Sequence, residues 1–359
     1  MAPSNVLIAG GYGVVGRRIA KLLAAEYPES VILAGRNIER ARVTASAIGP
    51  GVRYRAIDVT DPSTITRALE DVAVVISCVD QPGRKLLHAA IEKGLCYTDI
   101  TPHLVNLGRG AGYERIDQAA RRSGACIVLG TGIVPGISNV MVCELADQLG
   151  GAEEIDSALL LSAADVTGPA SFDYFIAELA MPFNEHVGGA DRPALPFSHP
   201  HTIEFPAPIG EQIAYSFPFS DQVLYPRTMN ARTVHSRLAL EPNWLATLLT
   251  WVVRSGAAHV LATDPIRHAI ARRHRERAAK PDTRFALRVD VTHRGRSATA
   301  TLVGAAQADA AAAGAIGVAQ AMIKGEVGEP GAWMPEQVID PKRFFSRLAR
   351  LGLQVRLSS

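Results

Sequence analysis

The 359-residue chain is poor in cysteine, with only four. Cys78, Cys96, Cys126 and Cys143 lie in its first half, in apolar company, and none forms a Cys-x-x-Cys pair. That argues against a disulfide framework or a cysteine-based zinc site, and for reduced, buried thiols in a cytoplasmic protein with no metal. Net charge is nearly absent: 37 Lys and Arg against 35 Asp and Glu give +2. Such a balance offers no bulk attraction for nucleic acid or an anionic membrane. The one basic run, Arg267 to Lys280, has no interleaved aromatics and reads as a solvated helix face. Long hydrophobic runs are missing too. The most apolar stretch, Trp244 to Ala262, is broken by Arg254, Ser255, Gly256 and His259. It is unfit for stable membrane insertion and reads as one long helix, buried or at a homodimer interface. Met1 to Asn5 carry no charged segment of the kind that opens a signal peptide. Finally, no tyrosine has lysine four residues on: Tyr12, Tyr97 and Tyr113 are followed at that distance by Gly16, Thr101 and Asp117. A short-chain carbonyl reductase needs that pair, so this absence counts against one.

The remaining composition is that of an ordinary globular protein long enough for two domains, with 48% hydrophobic and 20% charged residues. From Val6 to Leu129, short apolar runs alternate with helical patterns: strands near 6–9, 31–34, 52–57, 72–78, 97–100 and 126–129, and helices between them. This rhythm predicts a Rossmann-type, doubly wound parallel sheet over residues 1–135. After Gly136 the rhythm changes. Residues 163–230 are rich in Pro, Gly and Phe and read as short extended pieces. Phe285 to Thr292 and Ala298 to Val303 alternate about His293-Arg294-Gly295-Arg296 as a β-hairpin. The expectation is an α+β substrate-binding and dimerisation domain at 136–334, with a mainly antiparallel sheet. A tail at about 335–359 is expected to return to the first domain.

The strongest chemical signal is Gly11-Tyr12-Gly13-Val14-Val15-Gly16, directly after a strand and opening a helix. Gly11 permits the tight turn, Gly13 lets the backbone approach a pyrophosphate, and Gly16 lets helix and strand pack closely. The helix N-terminus then presents free N–H groups and its positive dipole end to the anion. An NAD site usually ends its second strand with a carboxylate for the ribose 2′-hydroxyl. Here that place reads Gly35-Arg36-Asn37. Arg36 can pair with a 2′-phosphate and stack on adenine, so the expected coenzyme is NADP(H). Asp58-Val59 follows the third strand, where the carboxylate either accepts from the adenine amino group or caps the turn. Ser77-Cys78-Val79 ends the fourth strand, where the backbone is expected to flank the nicotinamide ribose.

These motifs, with Tyr97-Thr98-Asp99 and Gly132-Ile133-Val134-Pro135-Gly136-Ile137-Ser138-Asn139, resemble the saccharopine dehydrogenase-like family. Trp333-Met334-Pro335-Glu336 and Phe344-Phe345 in the tail are similar to it as well. The resemblance covers about 5–145 and 300–357 and is loose between 150 and 290. It implies hydride transfer between a nicotinamide and a carbon bound to nitrogen, in a cleft between two domains. By position it implies that Thr98, Asp99 and Thr101 face nicotinamide and substrate, and that Pro135, Gly136 and Asn139 belong to the interdomain loop. Val134 departs from family reductases that carry Asp before the Pro-Gly pair; Ser138-Asn139 is closer to the lysine 6-dehydrogenase type.

At the carboxyl end of a parallel strand Asp99 can stabilise an iminium or relay a proton, or it can cap a turn. His235 is the second candidate for the proton. An amino-acid carboxylate calls for arginine, and Arg227, Arg232 and Arg237 lie near Tyr225 and His235. Two other readings stay open: an NADP-dependent reductase of a C=O or C=C substrate, and a non-catalytic NADP-binding protein.

Overall fold

The computed structural model describes residues 5–100, 111–163, 165, 169–263, 265–267 and 283–358. The chain divides into two compact units, 1–137 with 311–340, and 138–310 with 341–359.

In the first unit, strands β1 (Asn5–Ala9), β2 (Val31–Gly35), β3 (Arg53–Ala56), β4 (Val72–Ser77), β5 (Cys96–Asp99) and β6 (Cys126–Val128) alternate with helices. The first two helices are α1 (Val14–Glu26) and α2 (Ile38–Ile48); Pro62–Ala68, Lys85–Glu92 and Ala111–Ser123 follow. A late strand, β15 (Gly331–Trp333), completes a seven-stranded sheet of order β15-β6-β5-β4-β1-β2-β3. Every pair is parallel. β1 and β2 are continuous apolar runs because helices cover both faces. β3, at the edge, alternates instead. Local caps set the helix starts: Asn37 Oδ1 accepts from Arg40 N–H, and Asp61 from Ser63 N–H with Pro62 in the first turn. The strand order reverses between β1 and β4, and a sheet of this kind binds its ligand outside the carboxyl ends at that point.

The second unit is built on β7 (Glu154–Ser162), β8 (Phe183–Val187), β9 (Ala190–Ala194), β10 (Ser198–Phe205), β11 (Gly210–Ser216), β12 (Thr233–Glu241), β13 (Phe285–His293), β14 (Arg296–Gly304) and β16 (Arg356–Ser358). The main path is β10-β11-β12-β7-β13-β14-β16, with β8 joined to β12 and β9 to β8. All pairs are antiparallel except β7 with β12. A parallel pair needs a long crossover, and residues 163–232 provide it. That stretch holds more than extended pieces: helices Pro169–Leu179 and Asp221–Thr228 lie within it. Arg294 and Gly295 both take positive φ, +50° and +73°, as a tight two-residue hairpin turn requires.

Three expectations need correction. The segment that returns to the first unit is 311–340, whose β15 pairs with β6; 341–359 belongs to the second unit, where β16 pairs with β14. Each short strand covers a sheet edge that would otherwise stay open. The Trp244–Leu261 helix is two helices, Asn243–Arg254 and Ala257–Leu261, broken where Gly256 takes φ +76°. It is not wholly buried either, since Trp244 and Trp251 stay 65% and 70% exposed. Of the cysteines only Cys126 is buried; the other three are half-buried, and all four are free thiols. Among the described residues no helix is long and apolar enough to cross a membrane, and no cluster of His, Cys, Asp and Glu could hold a metal. Thr101 and most of the basic run, residues 268–280, lie outside the described residues.

Candidate coenzyme site

The turn after β1 is held by backbone bonds. The N–H groups of Gly10 and Gly11 both donate to Ala34 O, at 2.8 and 3.2 Å, and Gly13 N–H donates to Gly10 O at 2.8 Å. Gly13 is the extended N-cap residue of α1 and provides no side-chain cap, so the helix's first N–H groups keep their capacity for an anion. The glycines do different work. A Cβ on Gly16 would stand 2.3 Å from Gly10 O, and one on Gly11 2.9 Å from Leu33 Cγ. Close packing of strand, turn and helix therefore excludes any side chain at both. A Cβ on Gly13 would meet nothing nearer than 3.1 Å, and Gly13 is exposed. Packing constrains it less than Gly11 or Gly16. Gly10, outside the expected motif, is equally constrained: φ is +79°, and a Cβ would lie 2.6 Å from Val79 Cγ1. Only its adjacency to Gly11 hinted at it. Val14 and Val15 open α1, half-buried.

At the end of β2, Gly35 is buried while Arg36 and Asn37 are exposed. Gly35 makes room for a ring of this chain: a Cβ there would lie 2.3 Å from Tyr12 Cε1. The Tyr12 hydroxyl accepts from Asn37 N–H at 3.2 Å, and the Arg40 guanidinium carbon lies 4.7 Å from the Tyr12 ring centroid. Asp58 is a turn cap. Its Oδ1 accepts from Thr60 N–H at 2.9 Å and from the Thr60 hydroxyl at 2.7 Å. Those bonds hold its carboxyl below the usual range, with smaller help from the charges of Arg36 and Lys85. Val59 sits half-buried in the same turn.

Across the strand reversal, Cys78 N–H donates to Ala9 O at 2.9 Å, which brings Cys78 and Val79 against Gly10. Ser77 is fully buried, and its side chain enters a network behind the sheet end. Gln81 Nε2 donates to Ser77 Oγ at 2.8 Å and also to the Tyr97 hydroxyl. Tyr97 donates to Asp99 Oδ2 at 3.4 Å, and Gly130 N–H donates to Asp99 Oδ1 at 3.1 Å. Burial, then the Asp99 charge, push the Tyr97 hydroxyl well above its ordinary pKa, so it remains a proton donor. Burial pushes the Cys78 thiol up to about 12, again with help from Asp99, so Cys78 is no thiolate nucleophile.

Asp99 itself is fully buried. Its carboxylate accepts from Gly130 N–H and the Tyr97 hydroxyl, and its carbonyl accepts from Thr131 N–H at 2.8 Å. Register explains this: Asp99 pairs with Ser77, on the face that carries Gln81 and Tyr97. Thr98 is also fully buried, its hydroxyl 2.8 Å from that of Thr131. The following turn is closed by Ile137 N–H on Gly132 O and by the tight approach of Gly136, where a Cβ would lie 2.2 Å from Gly132 O. Pro135 and Asn139 are buried there.

In the second unit Tyr225 is fully buried, and Arg227 and Arg232 are exposed, without a carboxylate partner among the described residues. Arg237 is occupied, its Nε 3.0 and 3.1 Å from the two oxygens of Asp156. His235, half-buried on β12, is held below the ordinary histidine range by burial and by the charge of Arg237. Its neutral form is thereby favoured.

A parallel sheet with strand reversal at β1 and β4, a glycine cradle and a free helix N-terminus define a dinucleotide-binding domain. Residues 6–128 match the family described as saccharopine dehydrogenase NADP binding domain. The chain thus carries a domain similar to that family's NADP-binding domain. Its fold is shared with apo saccharopine dehydrogenase (L-Glu forming) from Saccharomyces cerevisiae, at TM-score 0.71 and 15% identity over 99% of this chain and 100% of that one. Diaminopimelate (DAP) dehydrogenase of C. glutamicum in complex with DAP aligns at TM-score 0.48 and 15% identity, over 98% and 99% of the two chains. GenD2 from gentamicin A biosynthesis in complex with NAD aligns at 0.47 and 13%, over 98% and 93%. No curated protein sequence matches the chain.

Proposed function

We propose that the protein uses NADP(H), in preference to NAD(H), to reduce an imine or oxidise an amine at the C–N bond of an amino-acid-derived substrate. The observation that supports it most is the end of β2, where exposed Arg36 stands in place of the usual carboxylate. The coenzyme supplies or accepts the hydride. The glycine turn and the N-terminus of α1 bind its pyrophosphate, Arg36 and Asn37 stand at its adenosine side, and Cys78 and Val79 present backbone to its nicotinamide side. Catalysis is then chiefly placement of donor carbon against acceptor carbon, with one group to move a proton.

Asp99, fully buried, acts as a positioning residue that holds the 130–136 turn, while Thr98, Pro135, Gly136 and Asn139 shape the substrate's surroundings. Neutral His235 takes the proton in the oxidative direction. Arg227 or Arg232 binds a substrate carboxylate, and Tyr225 supports them from the core. The free thiols suit a reducing compartment, the cytoplasm. Exposed Trp244, Leu248 and Trp251 form a homodimer contact.

The test is transient NADPH oxidation with imines formed in situ from amino acids and aldehydes or keto acids. Turnover with at least one such pair is expected, with NADPH bound at least about tenfold tighter than NADH. No fluorescence response to either coenzyme would overturn the reading at its first step.

A further inference from the structure

The arginines between residues 36 and 55 fall into two groups. Arg42 is ion-paired with Glu39, and Arg53 and Arg55 with Asp71. Arg36 and Arg40 have no carboxylate in hydrogen-bond contact among the described residues; both are exposed, and both lie at the carboxyl end of β2 or the first turn of α2. The charge of Arg36 reaches Asp58 and helps slightly to hold its carboxyl low. Arg40 is held differently, with its guanidinium carbon over Tyr12, 4.7 Å from the ring centroid. Tyr12 is fixed in turn by the absent side chain of Gly35 and by the bond from Asn37 N–H to its hydroxyl. A hydroxyl oxygen that accepts one bond still has its own proton to donate.

We infer that Arg40, held in a cation–π stack on Tyr12, is a second guanidinium for the 2′-phosphate of NADP, with the Tyr12 hydroxyl as a further donor to the same group. The inference rests on the coenzyme reading above. Stacking pre-orders a side chain that is otherwise rich in rotamers, so less entropy is lost when it meets the anion. Two guanidiniums with no carboxylate hydrogen-bonded to either favour a dianion, and a 2′-hydroxyl gains far less from them. The selectivity for NADP is thereby shared between the strand end and the turn residue Tyr12, which lies between two glycines of the nucleotide motif.

Titration of the full-length protein with NADPH, NADH, adenosine 2′,5′-bisphosphate and AMP tests this by calorimetry, without turnover. Arg40→Ala is expected to weaken NADPH and the bisphosphate by roughly tenfold, and to leave NADH and AMP within about twofold. Arg40→Lys is expected to recover only part, because a point charge neither stacks as well nor forks onto phosphate. Tyr12→Phe keeps the stack and is expected to cost less than Tyr12→Leu, which removes it. An Arg40→Ala protein that binds NADPH as wild type does, while Arg36→Ala loses affinity, overturns this inference alone and leaves the coenzyme reading standing. So does equal weakening of NADPH and NADH. Failure of the wild type to bind either coenzyme overturns both.

Discussion

Asp99 and Glu178 show how burial assigns work to a carboxyl group. Asp99 accepts from Gly130 N–H and from the Tyr97 hydroxyl, and its charge helps to keep Cys78 and Tyr97 protonated. Asp99→Asn keeps the shape and removes the charge. It should cost about 1–2 kcal/mol of stability, as one hydrogen-bonded acceptor becomes a donor. It should also lower the pKa of Cys78, read as thiol alkylation rate against pH. Coenzyme affinity should hold while turnover falls; an unchanged Cys78 profile would remove Asp99 from this network. Glu178, half-buried on helix Pro169–Leu179, is different: burial raises its pKa from 4.5 to about 7. Its folded-state value is above the unfolded one. The stability it contributes is therefore full below about 4.5 and lost as pH rises through about 7. Partial exposure limits the effect to about 1–2 kcal/mol. Thermal melts of Glu178→Gln from pH 4.5 to 8 should lack this slope, and a slope equal to wild type would refute the assignment.

Elements meet where glycine lets them. Helix Gln307–Ile323 carries Gly314, where a Cβ would stand 2.5 Å from Gly132 O and 2.7 Å from Thr131 O. At an open helical position Gly→Ala stabilises by about 1 kcal/mol. Here the backbone of the 130–136 turn fills that space, so the sign reverses and Gly314→Ala should destabilise by roughly 1–3 kcal/mol in urea unfolding. Stabilisation would show that the helix and turn are not in contact. Such a residue is hard to read from sequence, since an Ala- and Gly-rich helix looks equally plausible with either residue there. By contrast α1, α2 and strands β1 to β6 were legible to within a residue or two, because apolar period, cap residues and glycine turns are local. The crossover at 163–232 was not. Its helices Pro169–Leu179 and Asp221–Thr228 sit among prolines, glycines and phenylalanines that locally suggest turns, and packing on the second sheet stabilises them instead.

The two units rest on discontinuous chain, so the order of elements does not reveal which unit each late element joins. β15 and β16 are both three residues long, yet one extends the parallel sheet and the other the mixed sheet. On helix Asn243–Arg254 the buried residues are Ala246, Leu249 and Val253, while Trp244, Leu248 and Trp251 face outward. The homodimer contact proposed for this stripe has a direct test. Sedimentation velocity at micromolar concentration should give a dimer for wild type and a monomer for Trp251→Glu. A monomeric wild type would dismiss this contact.

Spacing and residue type alone carried the dinucleotide-binding sheet, its glycine turn and the arginine at the end of β2. Those signals act over a few residues, through backbone dihedrals, helix caps and the alternation of apolar side chains. The folded chain decided the rest: that Gly35 makes room for Tyr12, that Arg40 lies over the Tyr12 ring, that Asp99 turns inward to Gly130, and that 311–340 rather than the last residues completes the first unit. Each of these brings together side chains or strands far apart in sequence or on separate elements, and no local period encodes such a meeting.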